Sequence, residues 1–193
     1  MYTSLTELEL VVSKCNRCGL RATASKVVFG EGNPHAEIMF IGEGPGFHED
    51  QQGRPFVGPA GQLLDKMIAA CGWKRTDVYI ANIVKCRPPQ NRVPTISEGQ
   101  ACMYWLEQQI ALVSPRIIIA LGSTAARHLI SQSISITRSR GNWFTFQGIP
   151  VMLTFHPAAL LRDPSKKRPV WEDLKQVIAR VKGGVVSEKS SNG

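Results

Sequence analysis

Glu37-Ile38-Met39-Phe40-Ile41 runs directly into Gly42-Glu43-Gly44-Pro45-Gly46, and this junction decides the fold. A short apolar run ending at glycine reads as a buried strand. The same pattern recurs along the chain. Residues 78–84 form a second strand that contains Asn82 and leads to Cys86 and Asn91. Residues 116–121 lead into Gly122-Ser123, and 151–155 into His156-Pro157. Between the strands, helical spacing covers 5–13, 60–71 (stopped by Gly72), 97–113 with Ser97 as N-cap, 123–130 and 170–181. Such alternation predicts a three-layer α/β/α sandwich around a central, four-stranded, mainly parallel sheet. In open sheets of this class the ligand crevice lies outside the C-terminal ends of the strands. All four polar segments therefore converge on one site.

With 193 residues, 43% of them hydrophobic and 20% charged, the chain can bury one sizeable core, expected as a single domain over 1–181. The tail over 182–193, enriched in Gly, Ser and Lys, is expected to be disordered. No apolar run approaches the roughly 18 residues of a membrane span. The N-terminus lacks a basic, then apolar, leader pattern. The expectation is a cytoplasmic monomer without a membrane partner, whose thiols stay reduced. A formal charge of +8 favours a polyanionic partner such as nucleic acid.

Four cysteines fall into two pairs. Cys15 and Cys18 form a C-x-x-C, and Cys86 and Cys102 are separated by fifteen residues. Four thiolates suit zinc or an iron–sulfur cluster, and either would tie the N-terminal segment to the middle of the chain. Cys71, within an apolar stretch, reads as a packing residue. The glycine segment after the first strand lacks both the G-x-G-x-x-G and the Walker lysine patterns, so its glycines read as permitting close approach of a flat ligand.

Taken together, the motifs resemble those of the family 4 uracil-DNA glycosylases. Gly42-Glu43-Gly44-Pro45-Gly46, Glu49-Asp50, Gly53-Arg54-Pro55-Phe56-Val57-Gly58 and Ala60-Gly61-Gln62-Leu63-Leu64-Asp65 resemble the first motif. Asn82-Ile83-Val84-Lys85-Cys86-Arg87-Pro88-Pro89 with Asn91-Arg92 resembles the middle one. His156-Pro157-Ala158 with Leu160-Leu161-Arg162 resembles the last, and Val170-Trp171-Glu172-Asp173-Leu174 the terminal helix. The match runs in order from the first cysteine pair to the last helix. It implies a DNA-repair enzyme that flips uracil from single- or double-stranded DNA and hydrolyses its N-glycosidic bond. It also implies that Cys15, Cys18, Cys86 and Cys102 ligate a [4Fe-4S] cluster.

The residue types suit that task. A carboxamide offers one acceptor and one donor in a plane, so Asn82 can accept from uracil N3–H and donate to O4, a pattern that cytosine partly inverts. Phe56 can stack on an extruded base. A neutral His156 can donate to O2 as charge builds on the departing base. For a carboxylate that orients water or supports an oxocarbenium-like sugar, Glu43 is the first choice and Glu49 the alternative. Gly42, Gly44 and Asn91 complete the expected pocket. His35, His48 and His128 are expected to be structural or at the surface. Two departures stand out: Phe47 and His48 occupy positions where the family often has acids, and Gly44 stands where a related glycosylase family has its catalytic aspartate.

DNA contact is expected from Arg138 and Arg140 in one loop and from Arg162, Lys166, Lys167 and Arg168 in another. Leu160, Leu161 and Arg162 are wedge candidates. Three other functions compete. A covalently trapping relative has an inserted Lys-Arg-Arg-Ile-His loop, whereas Asn91-Arg92-Val93-Pro94 runs straight on without it. A non-catalytic, polymerase-associated adaptor would have a degraded pocket, yet Glu43, Asn82 and His156 are all present. A zinc-site regulator explains only the cysteines. A sliding clamp or polymerase partner is left open by the sequence.

Overall fold

The computed structural model describes residues 2–188. Its central sheet has six strands among the described residues, in the order β1-β3-β2-β4-β6-β5. Strands β2 (Ile38–Gly42), β3 (Tyr79–Asn82), β4 (Ile117–Leu121) and β6 (Ile149–Thr154) are parallel to one another and form the four expected strands. Two short antiparallel edges were not foreseen. They are β1 (Glu31–Gly32), against β3, and β5 (Trp143–Phe146), against β6. The second edge is a hairpin arm. Gln147 and Gly148 both have positive φ, 48° and 84°, as a two-residue hairpin turn matched to strand twist requires.

Successive side chains on these strands divide between two cores, which is why the strands read as continuous apolar runs rather than alternating ones. Ile38, Phe40, Ile117, Ile119, Leu121 and Met152 point to one face. There they pack on helices α3 (Pro59–Ala70), α7 (Pro157–Arg162) and α8 (Lys167–Glu188). Met39, Ile41, Ala81, Ile118, Ala120 and Leu153 point to the other, against α1 (Leu5–Val12), α4 (Ile96–Val113) and α5 (Ser123–Leu129). Helix, sheet and helix make the three-layer sandwich. The short helices α2 (Phe47–Gln52) and α6 (Ile136–Ser139) lie in the connections.

Several boundaries differ from expectation by a few residues, β3, β6 and the start of α8 among them, and two differences have a clear physical cause. The N-cap of α4 is Thr95, not Ser97: its hydroxyl accepts from Glu98 N (3.2 Å) while Glu98 returns a bond to Thr95 N (2.8 Å). Both Thr95-x-x-Glu98 and Ser97-x-x-Gln100 fit a capping box. The charged acid wins because Arg92 grips it with two bonds of 2.8 Å; this pairing holds the Glu98 carboxyl down to about 2. At the other end, α8 continues through 182–188, the first part of the expected tail. No proline there removes a backbone donor, so the helical ladder can extend. Residues 189–193 lie outside the described residues. No described helix is long and apolar enough to cross a membrane.

The register sets the site. Gly42 lies opposite Asn82, and Leu121 opposite Thr154. The parallel strands thus end on one level, and the segments that follow meet above them.

Candidate active site

A cleft of about 790 Å³ opens at those strand ends. Glu43, Gly44, Glu49, Phe56, Asn82, Asn91 and His156 all line it. Gly42 lies just behind: a Cβ there would fall 2.5 Å from the Phe56 ring and 2.6 Å from Asn82 Oδ1. Any side chain at 42 would displace one or the other, so the close approach requires glycine.

Asn82 is 2% exposed, and its Oδ1 has no hydrogen-bond partner in the protein. Buried acceptors are rarely left unpaired, and one that is calls for a ligand or a functional reason. Beside it, the Phe56 and His156 rings stack, with centroids 5.5 Å apart and planes 29° from parallel. Phe56 has a φ of 51°, unusual for a residue with a Cβ. The surroundings enforce that backbone. Arg75 donates to the carbonyls of both Pro55 and Phe56. Gly61 makes room for the Phe56 carbonyl, which would lie 1.9 Å from any Cβ at 61. The pocket wall is thereby preset before any ligand enters.

His156 caps α7, and its Nδ1 accepts from Ala158 N–H at 3.1 Å. Because a backbone amide can only donate, Nδ1 carries the lone pair and the neutral ring keeps its proton on Nε2. Burial, then Arg162, push the ring's pKa down from 6.5 to about 4, against the opposing pull of Glu49. The pH consequence has a definite sign. As pH falls below 6.5 the unfolded chain binds the proton first. The stability from holding His156 neutral is therefore complete above 6.5 and is lost down to about 4, in total about 3 kcal/mol. Urea denaturation of the parent and of His156→Gln at several pH values should show a shallower acid-side slope for the variant. Equal slopes would exclude this linkage.

The two candidate carboxylates differ in what occupies them. Both oxygens of Glu49 are taken by backbone amides, Oε2 by Gly46 N (3.1 Å) and Oε1 by Val57 N and Gly58 N (2.9 Å each). It therefore ties the glycine loop to the Phe56 segment. Glu43 has one oxygen, Oε2, bonded by the Thr124 hydroxyl and shares the cleft wall with it. Thr124 is 6% exposed and escaped the sequence reading. Its signal was a third polar position in Gly122-Ser123-Thr124 at a strand end. Asn91 reaches the rim rather than the floor. It is exposed, and its Oδ1 accepts from Arg87 Nε at 2.7 Å.

Where the N-terminal segment and the segment after β3 meet α4, a second cluster forms. Cys15, Cys18, Cys86 and Cys102 line one small cavity of about 20 Å³ with Val12, Val27 and Trp105. All four are free thiols. Trp105 Nε1 donates to Cys15 Sγ at 3.2 Å, and Arg17 N does so at 3.4 Å. Burial, aided by the neighbouring thiols, pushes Cys86 up to about 12; Cys102 is raised by burial and opposed by Lys85. Among the described residues no three ligand side chains are gathered as a single-ion site. Lys85 lies between the two centres. It is 2% exposed, and its Nζ donates to the Asn82 carbonyl at 2.9 Å. Burial lowers it to about 8, and Cys102 opposes the shift. A buried ammonium with a carbonyl as its hydrogen-bond partner is costly unless an anion lies nearby. The thiol cavity, once deprotonated, is where that anion would be.

The basic residues divide. Arg138, Arg162, Lys167 and Arg168 are exposed, and Lys166 pairs with Asp163. Leu161 is 49% exposed, whereas Leu160 is buried and cannot wedge. Arg140 is a correction to the expected phosphate contacts. Its guanidinium binds both oxygens of Asp173, which is fully buried and also accepts from Thr154 Oγ1 (2.6 Å), and it reaches the Pro169 carbonyl (2.8 Å). It pins α8 to the end of β6. Arg140→Ala should cost about 3–5 kcal/mol by leaving a buried carboxylate unpaired. Urea denaturation of the variant beside the parent checks this, and equal midpoints would contradict it. Arg127 and Arg92, which sequence reasoning did not single out, also line the cleft.

With this geometry in view, comparison with known proteins is specific. Residues 29–175 match the model of the Uracil DNA glycosylase superfamily. The type-4 uracil-DNA glycosylase of Thermotoga maritima is 46% identical over 189 residues, covering 94% of this chain and 98% of the relative. That of Sulfurisphaera tokodaii is 42% identical over 90% of this chain and 83% of its own length. A DNA polymerase of Bacillus phage SP01 is 30% identical over 82% of this chain but only 17% of the polymerase. A family match across the strand ends, the cleft and the last helix leaves one conclusion: the chain belongs to the uracil-DNA glycosylase superfamily.

Proposed function

We propose that this protein excises uracil from DNA, leaving an abasic site, as a DNA-repair hydrolase acting on the N-glycosyl bond. The observation that carries this reading is the buried, unpartnered Oδ1 of Asn82 beside the stacked Phe56 and His156. Uracil flipped into the cleft stacks on Phe56, gives its N3–H to Asn82 Oδ1 and takes the carboxamide N–H at O4. As the C1′–N1 bond breaks, its electron pair leaves with the base. The His156 Nε2–H donates to O2, where that charge gathers. Glu43, held at one oxygen by Thr124, uses the other to orient the attacking water and to support the electron-poor sugar. Water oxygen joins C1′ and its proton leaves to the carboxylate or to solvent. Glu49 shapes the loop rather than reacting, because both of its oxygens are already bonded. An intact arrangement of Glu43, Asn82 and His156 favours an enzyme over a non-catalytic adaptor.

Cys15, Cys18, Cys86 and Cys102 would hold a [4Fe-4S] cluster. The donor set is four thiols around one cavity, with a buried cation beside it. When bound, the cluster supplies a structural cross-link between the N-terminal segment, the segment after β3 and α4. The protein would act as a cytoplasmic monomer on uracil-containing DNA. Exposed Arg138, Arg162, Lys167 and Arg168 would neutralise phosphates, and Leu161 would enter the gap left by the flipped base. Competition assays test the base-reading assignment. Free uracil should inhibit excision, and N3-methyluracil, which lacks the N3–H, should not; equal inhibition by both would remove Asn82 from that role.

A further inference from the structure

Of the large exposed hydrophobic side chains, Phe47 is the aromatic that lines the cleft. It begins α2, directly after the glycine loop, with 51% of its surface in water. Yet the ring is held in place. The Arg87 guanidinium lies over it, 5.2 Å from the centroid, and the His48 ring meets it nearly edge-on at 5.6 Å. Arg87 is itself fixed by Asn91. An oriented aromatic ring left half in water gains little from folding, since burial is what stabilises a phenyl group. It is suited instead to a partner with a flat face.

Charge identifies that partner. Arg92, Arg127 and Arg162 line the same cleft, and Arg87 stands over the ring. A chain carrying phosphates and planar groups meets both requirements, as stacking platforms in basic grooves do for single strands. Position narrows it further. A uracil on the Asn82–Phe56–His156 floor draws its strand across the rim, and the nucleotide next to it passes there. We propose that Phe47 is an outer stacking platform for the base adjacent to uracil in the same strand, with Arg87 neutralising the phosphate beside it. This rests on reading the cleft as the uracil site.

The test uses holoenzyme and a single-stranded oligonucleotide with an uncleavable 2′-fluoro-deoxyuridine and 2-aminopurine as its neighbour on one side or the other. Binding should quench the 2-aminopurine on one side. Phe47→Ala should abolish that quench and weaken binding about 5- to 150-fold, the range expected for one base–aromatic stack. Phe47→Trp should restore both, and on cleavable substrate the loss should fall on KM rather than kcat. Unchanged quenching in Phe47→Ala would overturn the proposal. So would full restoration by Phe47→Leu, which would make the ring a mere apolar cover, or a loss confined to kcat, which would make it part of the inner pocket. Parent holoenzyme that binds and quenches but releases no uracil from a cleavable strand would refute the excision reading while leaving the platform intact.

Discussion

Asn82→Ala is expected to lower uracil excision about a thousandfold while leaving the fold as stable as the parent. The two halves of that expectation come from one atom. Asn82 Oδ1 is buried without a protein partner, so removing it breaks no hydrogen bond within the fold. A truncation that removes an unsatisfied acceptor has little to cost beyond a small packing loss. In the complex the balance reverses. Uracil's N3–H and O4 would be buried with nothing to pair with, each costing about 1–3 kcal/mol. Together about 4 kcal/mol of transition-state stabilisation is lost, which is about a thousandfold in rate. Single-turnover excision and thermal melting on the same preparation check both halves. A variant that loses activity by unfolding would show that Asn82 serves the structure.

Cys86→Ala should act in the opposite order, with the fold lost first and activity as a consequence. Cys86 follows the β3 strand that ends at Asn82, and Lys85 between them bonds the Asn82 carbonyl. A structural metal centre contributes on the order of 10 kcal/mol to folding, comparable with the whole stability of a domain this size. Under the cluster assignment proposed above, loss of one ligand would also strand the buried Lys85 ammonium without a counter-charge. The expected outcome is little soluble protein. What remains should lack visible absorbance, hold neither iron nor acid-labile sulfide, and melt far below the parent. Parent protein that contains zinc instead, or a Cys86→Ala variant with parental melting, would contradict the cluster assignment.

The strands and the site floor were legible in sequence for a physical reason. Strands buried on both faces must be apolar throughout, so each polar residue at a strand end stood out: Gly42-Glu43, Asn82, Gly122-Ser123, His156. The edges were harder. The two residues of β1 carry no periodic signal, and β5 is a run of aromatics whose Gln147-Gly148 turn was the missed cue. Charge partners were not legible at all. Arg140 and Arg138 look alike in sequence, yet one neutralises the buried Asp173 and the other faces solvent. Glu43 and Glu49 could not be separated until the backbone amides around Glu49 were placed. Thr124 and Lys85 matter through distance in space, which no local pattern encodes.

The central claim is that the cleft at the strand ends removes uracil from DNA, and one assay reaches it most directly. Iron-replete holoenzyme is incubated with an oligonucleotide that contains a single uracil, alongside a thymine control, and both are then treated with alkali. The expected result is strand breakage at the uracil alone, absent with Asn82→Ala. An intact uracil strand, or equal breakage of the thymine control, would contradict the claim.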